Sequence, residues 1–148
     1  MEEKRDVVRK PDLDHNAGQE GREQVLALCE ILDNKKAQDI IAIRVADKTI
    51  IADWFVICSG RAVPQVKALC DEVEEKAAAL NLTLRRKEGY PEGRWIVLDY
   101  ASILVHLFIP DERKYYNMER LWMDDPEDAI LFSQMKEEQE QSATPNVQ

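Results

Sequence analysis

From Ile50 to Ser59 the chain is almost uninterruptedly apolar, and most of those residues are β-branched or aromatic. A strand with one wet face alternates, whereas a run like this, closed by Gly60, predicts a central strand buried on both sides. The flanking segments supply its neighbours. Asp39 to Val45 alternates, with Ile41, Ile43 and Val45 on one face, and Asp47-Lys48 turns the chain toward the apolar run. Upstream, Val25, Leu28, Cys29 and Leu32 share one helical face over residues 22–34.

A second helix is predicted after Gly60, to about Leu80, with Val66, Leu69, Cys70, Val73, Ala77 and Leu80 as its apolar stripe. Pro64 fits its first turn, where a missing N–H costs little. Asn81 suits its end because it tolerates the left-handed conformation. A β-meander follows: Leu82 to Lys87, Arg94 to Tyr100 and Ile103 to Ile109. Pro110 stops the last strand, and a final helix over residues 111–122 carries Tyr115, Met118, Leu121 and Trp122 as its stripe. The order α-β-β-α-β-β-β-α predicts an α/β protein of the α+β type, a mixed sheet with helices packed on it. Parallel pairing is open only across the central helix.

Charge separates the folded part from its ends. Residues 1–20 hold six acidic and four basic residues, and residues 123–148 hold seven and one. Residues 21–122 hold 16 and 15, so nearly all of the formal charge of -9 belongs to the ends. A near-neutral domain is not built to neutralise many phosphates. The expected organisation is a disordered lead over 1–20, a domain over 21–123, and an acidic, mostly disordered tail over 124–148 with one short apolar piece, Ala129 to Phe132. The acidic and basic N-terminus reads as neither a secretory signal nor a transit peptide, and no run reaches the length of a membrane span, so a cytoplasmic location is expected. The three cysteines sit inside apolar patterns without a C-x-x-C, as small buried hydrophobes do.

The last hairpin points to function. With Ala101-Ser102 as its turn, Asp99 faces Leu104, Val97 faces His106, and Trp95 faces Phe108. Ile96, Leu98, Tyr100, Ile103, Val105, Leu107 and Ile109 then form the core face. Trp95, Val97, Asp99, Leu104, His106 and Phe108 form the other. That second face is either an exposed aromatic binding patch or the floor of a second helix layer, with Asp99 and His106 as a satisfied polar pair. As a binding face it centres on Trp95, Asp99, His106 and Phe108, with Tyr116 and Trp122 beside it.

The segment Asp53-Trp54-Phe55-Val56-Ile57-Cys58-Ser59-Gly60, followed by Gln65-Val66 and Ala68-Leu69, resembles the first signature of the ribosomal silencing factor (RsfS, or Iojap-like) family. Trp95-Ile96-Val97-Leu98-Asp99-Tyr100, then Val105-His106-Leu107-Phe108, then Arg113, Tyr115-Tyr116, Met118-Glu119 and Leu121-Trp122, resembles the second. The resemblance spans residues 22–123 in order. It implies a fold related to the nucleotidyltransferases without their catalytic residues. It also implies a protein that binds the large ribosomal subunit through ribosomal protein fourteen and blocks joining of the small subunit. Large-subunit assembly through the same site is the alternative role, and a homodimer away from the ribosome is an alternative state. Two positions depart from the family pattern: Ala62 stands where Ser is common, and Ala101 where Gly is common.

Rival chemistries are weaker. A nucleotidyltransferase needs a Gly-Ser turn and a nearby carboxylate pair for Mg²⁺. Here Ser59-Gly60 is reversed and no D-x-D follows it. Asp99, His106 and Ser59 or Cys58 can be drawn as a triad, but no nucleophile elbow surrounds them. His15 lies in the lead, and His106 has one plausible partner ligand, which is too few for a metal. No cofactor and no enzymatic activity are expected. Arg85-Arg86-Lys87, the basic run of the domain, reads as a solvated edge strand, with an rRNA contact as the minor alternative.

Overall fold

A computed structural model describes the protein over residues 21–143. The chain runs α1 (Arg22–Asn34), β1 (Gln38–Arg44), β2 (Trp54–Ser59), α2 (Val63–Ala77), β3 (Arg86–Glu88), β4 (Trp95–Asp99) and β5 (Ile103–Phe108). It continues through α3 (Pro110–Tyr116), α4 (Met118–Trp122), β6 (Ala129–Ile130) and α5 (Phe132–Ala143). The strands form one mixed sheet in the order β3-β4-β5-β2-β1-β6. β2 and β5 are parallel, across the central helix, and the other pairs are antiparallel.

β2 is buried along its whole length, and its alternate residues enter two different cores. Trp54, Val56 and Cys58 join Leu28, Leu69 and Leu107 under α1 and α2. Phe55 and Ile57 join Ile41, Ile43, Phe108 and Met118 on the opposite face. All three cysteines are free and buried, and desolvation pushes the Cys58 thiol up to about 12.

The register of the β4–β5 hairpin is the expected one: Trp95↔Phe108, Val97↔His106 and Asp99↔Leu104. Its turn holds Ala101 at φ 73, a conformation that suits glycine. The Asp99 Oδ1 offsets part of that strain by accepting the Ala101 N–H at 2.8 Å. Left-handed backbone costs an L-residue about 1–2 kcal/mol, and glycine returns about half of that gain as chain entropy. Ala101→Gly is therefore expected to raise stability by about 0.5–1 kcal/mol. Urea unfolding checks this, and a lower midpoint would show that the turn is not strained.

Four expectations need correction. β2 starts at Trp54, and Ile50 and Ile51 are 79% and 58% exposed. The last β1–β2 bond joins Val45 N–H to the Asp53 carbonyl, so both isoleucines lie in the loop beyond it. The expected strand over Leu82–Lys87 is reduced to Arg86–Glu88. Asn81, at φ 63, closes the helical segment, and Leu82 folds back so that its N–H meets the Ala77 carbonyl. The final helix is two helices, because Asn117 at φ 47 caps α3 and starts α4 in a new direction. Tyr115 and Leu121, expected in its core stripe, are 79% and 69% exposed.

The fourth correction concerns the tail. Ala129 and Ile130 pair with Ile43 and Ala42 of β1, and Phe132 is buried in the helix-side core. The Ile40 N–H donates to the Ser133 Oγ at 2.8 Å. Residues 124–143 are thus structured: the apolar Ile130 and Phe132 fill space beside β1 that the acidic composition around them concealed. The lead over 1–20, and residues 144–148, lie outside the described residues.

Candidate functional site

The sheet face opposite α1 and α2 is built unevenly. Over β1 and β2 the α4 segment covers it: Met118 is buried, and Trp122 meets the Phe55 ring edge-on at 5.3 Å. Over β4 and β5 the side chains of Trp95, Val97, Asp99 and Leu104 remain half-exposed. A helical cover is thus present over β1 and β2, while the hairpin half of the face is only partly covered. The divide is set by Asn117, which sends the chain back across β2 and away from β4.

An aromatic cluster lies along the divide. Trp95 stacks on Phe108, with centroids 4.9 Å apart and planes at 24°. Tyr116 packs beside Trp95 at 4.7 Å and is itself met edge-on by Tyr115. His106 lies under them, 5% exposed, with its Nδ1 accepting the Trp95 Nε1–H at 3.1 Å. That bond leaves the imidazole proton on Nε2. Desolvation lowers the His106 pKa from 6.5 to about 4, so the ring is neutral near pH 7.

The structure thus brings together Trp95, His106, Phe108 and Tyr116, and joins Trp122 to them through Phe55. Phe108 is wholly buried and supports the cluster from beneath. Asp99 stands apart, bound to its own turn, and does not form the expected pair with His106, whose cross-strand neighbour is Val97. The exposed Tyr115 flanks the cluster through Tyr116, and Leu121 is exposed on α4; sequence reasoning placed both in the core instead. Their signal was Asn117, a residue that tolerates the left-handed conformation in the middle of an apparent helix.

The basic run divides between elements. Arg86 pairs across the sheet with Asp99, and Lys87 pairs with Leu98 and reaches the Glu74 carboxylate at 2.7 Å on the helix side. Arg85 precedes the strand and donates its backbone N–H to the Asp99 carbonyl. The residues drawn as a triad are also separated. Cys58 enters the helix-side core, and the Ser59 hydroxyl accepts from Arg113, which holds Glu119 at 2.8 Å. Among the described residues Cys70, Asp71 and Glu74 have metal-like spacing. Lys87 engages Glu74 and the Tyr90 hydroxyl engages Asp71, so internal partners already hold both carboxylates. No described helix is long and apolar enough to cross a membrane.

What such an arrangement can do is present a rigid, half-exposed aromatic surface, held from below by neutral groups. The comparisons give that surface a context. The family model for "Ribosomal silencing factor during starvation" matches residues 18–148. A ribosomal silencing factor from Halalkalibacterium halodurans is 40% identical over 95 residues, 64% of this chain and 81% of its own. The mouse protein named "Mitochondrial assembly of ribosomal large subunit protein 1" is 29% identical over 98 residues, 64% of this chain and 43% of its own. A crystal structure of a Chromobacterium violaceum protein superposes with a TM-score of 0.65 at 29% identity, covering 70% of this chain and 87% of that one. With a family model matched along nearly its whole length, and a solved structure sharing its fold, this chain belongs to the ribosomal silencing factor family.

Proposed function

We propose that the chain binds the large ribosomal subunit through ribosomal protein fourteen and, seated there, keeps the small subunit from joining. The observation that carries this reading is the uncovered half of the sheet face, where Trp95 and Tyr116 form a half-exposed aromatic pair on a fully packed floor. Rigid aromatic residues at the centre of an interface usually carry most of its energy. Asp99, half-exposed at the end of β4, would meet a basic side chain, because a protein seated on rRNA is rich in lysine and arginine. Trp122 supports the face through Phe55. Arg86, on the same side of the sheet, and Arg85 are the candidates for a minor rRNA contact, while Lys87 is turned toward α2. The role is regulatory and not catalytic.

The test is a subunit-joining assay with saturating protein. The chain should co-sediment with the large subunit and suppress the joined particle. Trp95→Ala and Tyr116→Ala should each weaken binding at least tenfold, about 1.4 kcal/mol, without unfolding the domain. Unchanged binding by both variants would remove this face from the interface. Normal joining despite saturated binding would favour a role in large-subunit assembly, the role named for the mouse relative.

A further inference from the structure

We propose that His106 is a positioning residue for the partner-binding face, selecting through its Nδ1 which edge of the Trp95 indole a partner meets. The proposal rests on the docking reading above. The aromatic contacts of Trp95 are packing contacts and carry no directional bond. Its stacking on Phe108 fixes the plane of the indole, but a half-turn about χ2 returns the ring to that plane with its two edges exchanged. Tyr116 meets the same ring at 4.7 Å and 45°, a packing contact and not a hydrogen bond. The 3.1 Å bond from the indole N–H to His106 is the directional contact, and it is satisfied by one of the two flips. In the other flip a C–H edge would face the imidazole, leaving Nδ1 as a buried acceptor with no donor.

The imidazole is itself held in one state. It lies between β4 and β2, parallel to Phe108 at 16° and edge-on to Phe55 at 5.1 Å. Its Nε2 has no hydrogen-bond partner among the described residues, so no second acceptor competes to reverse the tautomer. A buried neutral ring with one bond, aimed at the edge of a half-exposed tryptophan, orders that tryptophan before any partner arrives. Ordering in advance removes a cost from binding.

The test uses the full chain. Nitrogen NMR of the wild type should show Nδ1 unprotonated and Nε2 protonated. The Trp95 indole N–H, assigned by its loss in Trp95→Phe, should exchange slowly with solvent. His106→Leu keeps an apolar filling but removes the acceptor, while His106→Asn returns an oxygen close to the Nδ1 position. In His106→Leu the indole signal should shift and exchange faster, and large-subunit binding should weaken roughly three- to tenfold, the worth of one such bond. His106→Asn should recover the indole protection and most of the binding. A wild-type ring protonated on Nδ1, or a rapidly exchanging Trp95 indole, overturns the proposal, and both can be measured even if His106→Leu does not fold. If Trp95→Ala weakens binding while His106→Leu does not, positioning by His106 is wrong and the docking face stands. If Trp95→Ala binds as the wild type does, positioning by His106 falls, and the docking face falls with it when Tyr116→Ala also binds unchanged.

Discussion

Phe132→Ala should cost about 3–5 kcal/mol of stability, the range for emptying a buried aromatic site. Phe132 is 2% exposed and packs in the helix-side core next to Ile130. The surrounding structure has little freedom to close over the gap. Ser133 is tied to β1 through the Ile40 N–H, and β6 is hydrogen-bonded to the same strand. The urea midpoint should fall with the slope unchanged, since the folded state keeps its extent. Phe132 and Trp95 lie on opposite sides of the sheet, so the folded fraction should bind the large subunit with wild-type affinity. A loss below about 1 kcal/mol would show that residues 129–143 are an appendage of the domain.

Acid should destabilise the protein through His106. The folded-state pKa is about 4 against an ordinary 6.5, and burial is the cause. Above pH 6.5 the ring is neutral in both states and contributes no pH dependence. As the pH falls from 6.5 toward 4, the unfolded chain takes up a proton that the folded chain refuses, and stability drops. Each unit of difference corresponds to about 1.4 kcal/mol, so the loss across that window reaches about 3 kcal/mol. Carboxylates with lowered pKa values, such as Glu72 beside Lys76, add their own losses in more acid solution. They are common to wild type and variant. Stability curves for wild type and His106→Leu should therefore diverge between pH 6.5 and 4, with the variant flatter. Parallel curves would mean that His106 titrates normally in the folded state.

Alternation made the hairpin legible. From Trp95 to Ile109 the two side-chain sets differ so clearly that one two-residue turn satisfies both, and the observed ladder follows it. The central helix was equally readable, with six apolar residues on one stripe, Pro64 at its start and Asn81 beyond its end. The strand ends were harder. Ile50 and Ile51 have the composition of a buried strand, yet the hydrogen bonds stop at Asp53, and that limit depends on a partner strand. The cover of the candidate face was also beyond reach. It depends on a backbone reversal at Asn117, and residues 111–122 show helical spacing on both sides of it. His106 illustrates a third kind of difficulty. Its place on the face followed from parity, but its partner depends on side-chain rotamers: Trp95 reaches back to it, while Asp99 turns to its own loop.

The β1–β6 pairing joins residues from near the two ends of the described chain, with consequences for the order in which the molecule is made. Synthesis runs from the N-terminus, and domains acquire structure as their parts emerge. β1, β2, β4 and β5 can assemble once Phe108 is available. Until Ala129 and Ile130 follow, β1 is an open edge with Ile41 and Ile43 on one side and Ile40 on the other. An apolar edge of that kind is a template for pairing with a second chain. Polypeptides that end before residue 129 should therefore self-associate, whereas the full chain, once β6 is laid down, closes that edge with two residues and one serine hydroxyl.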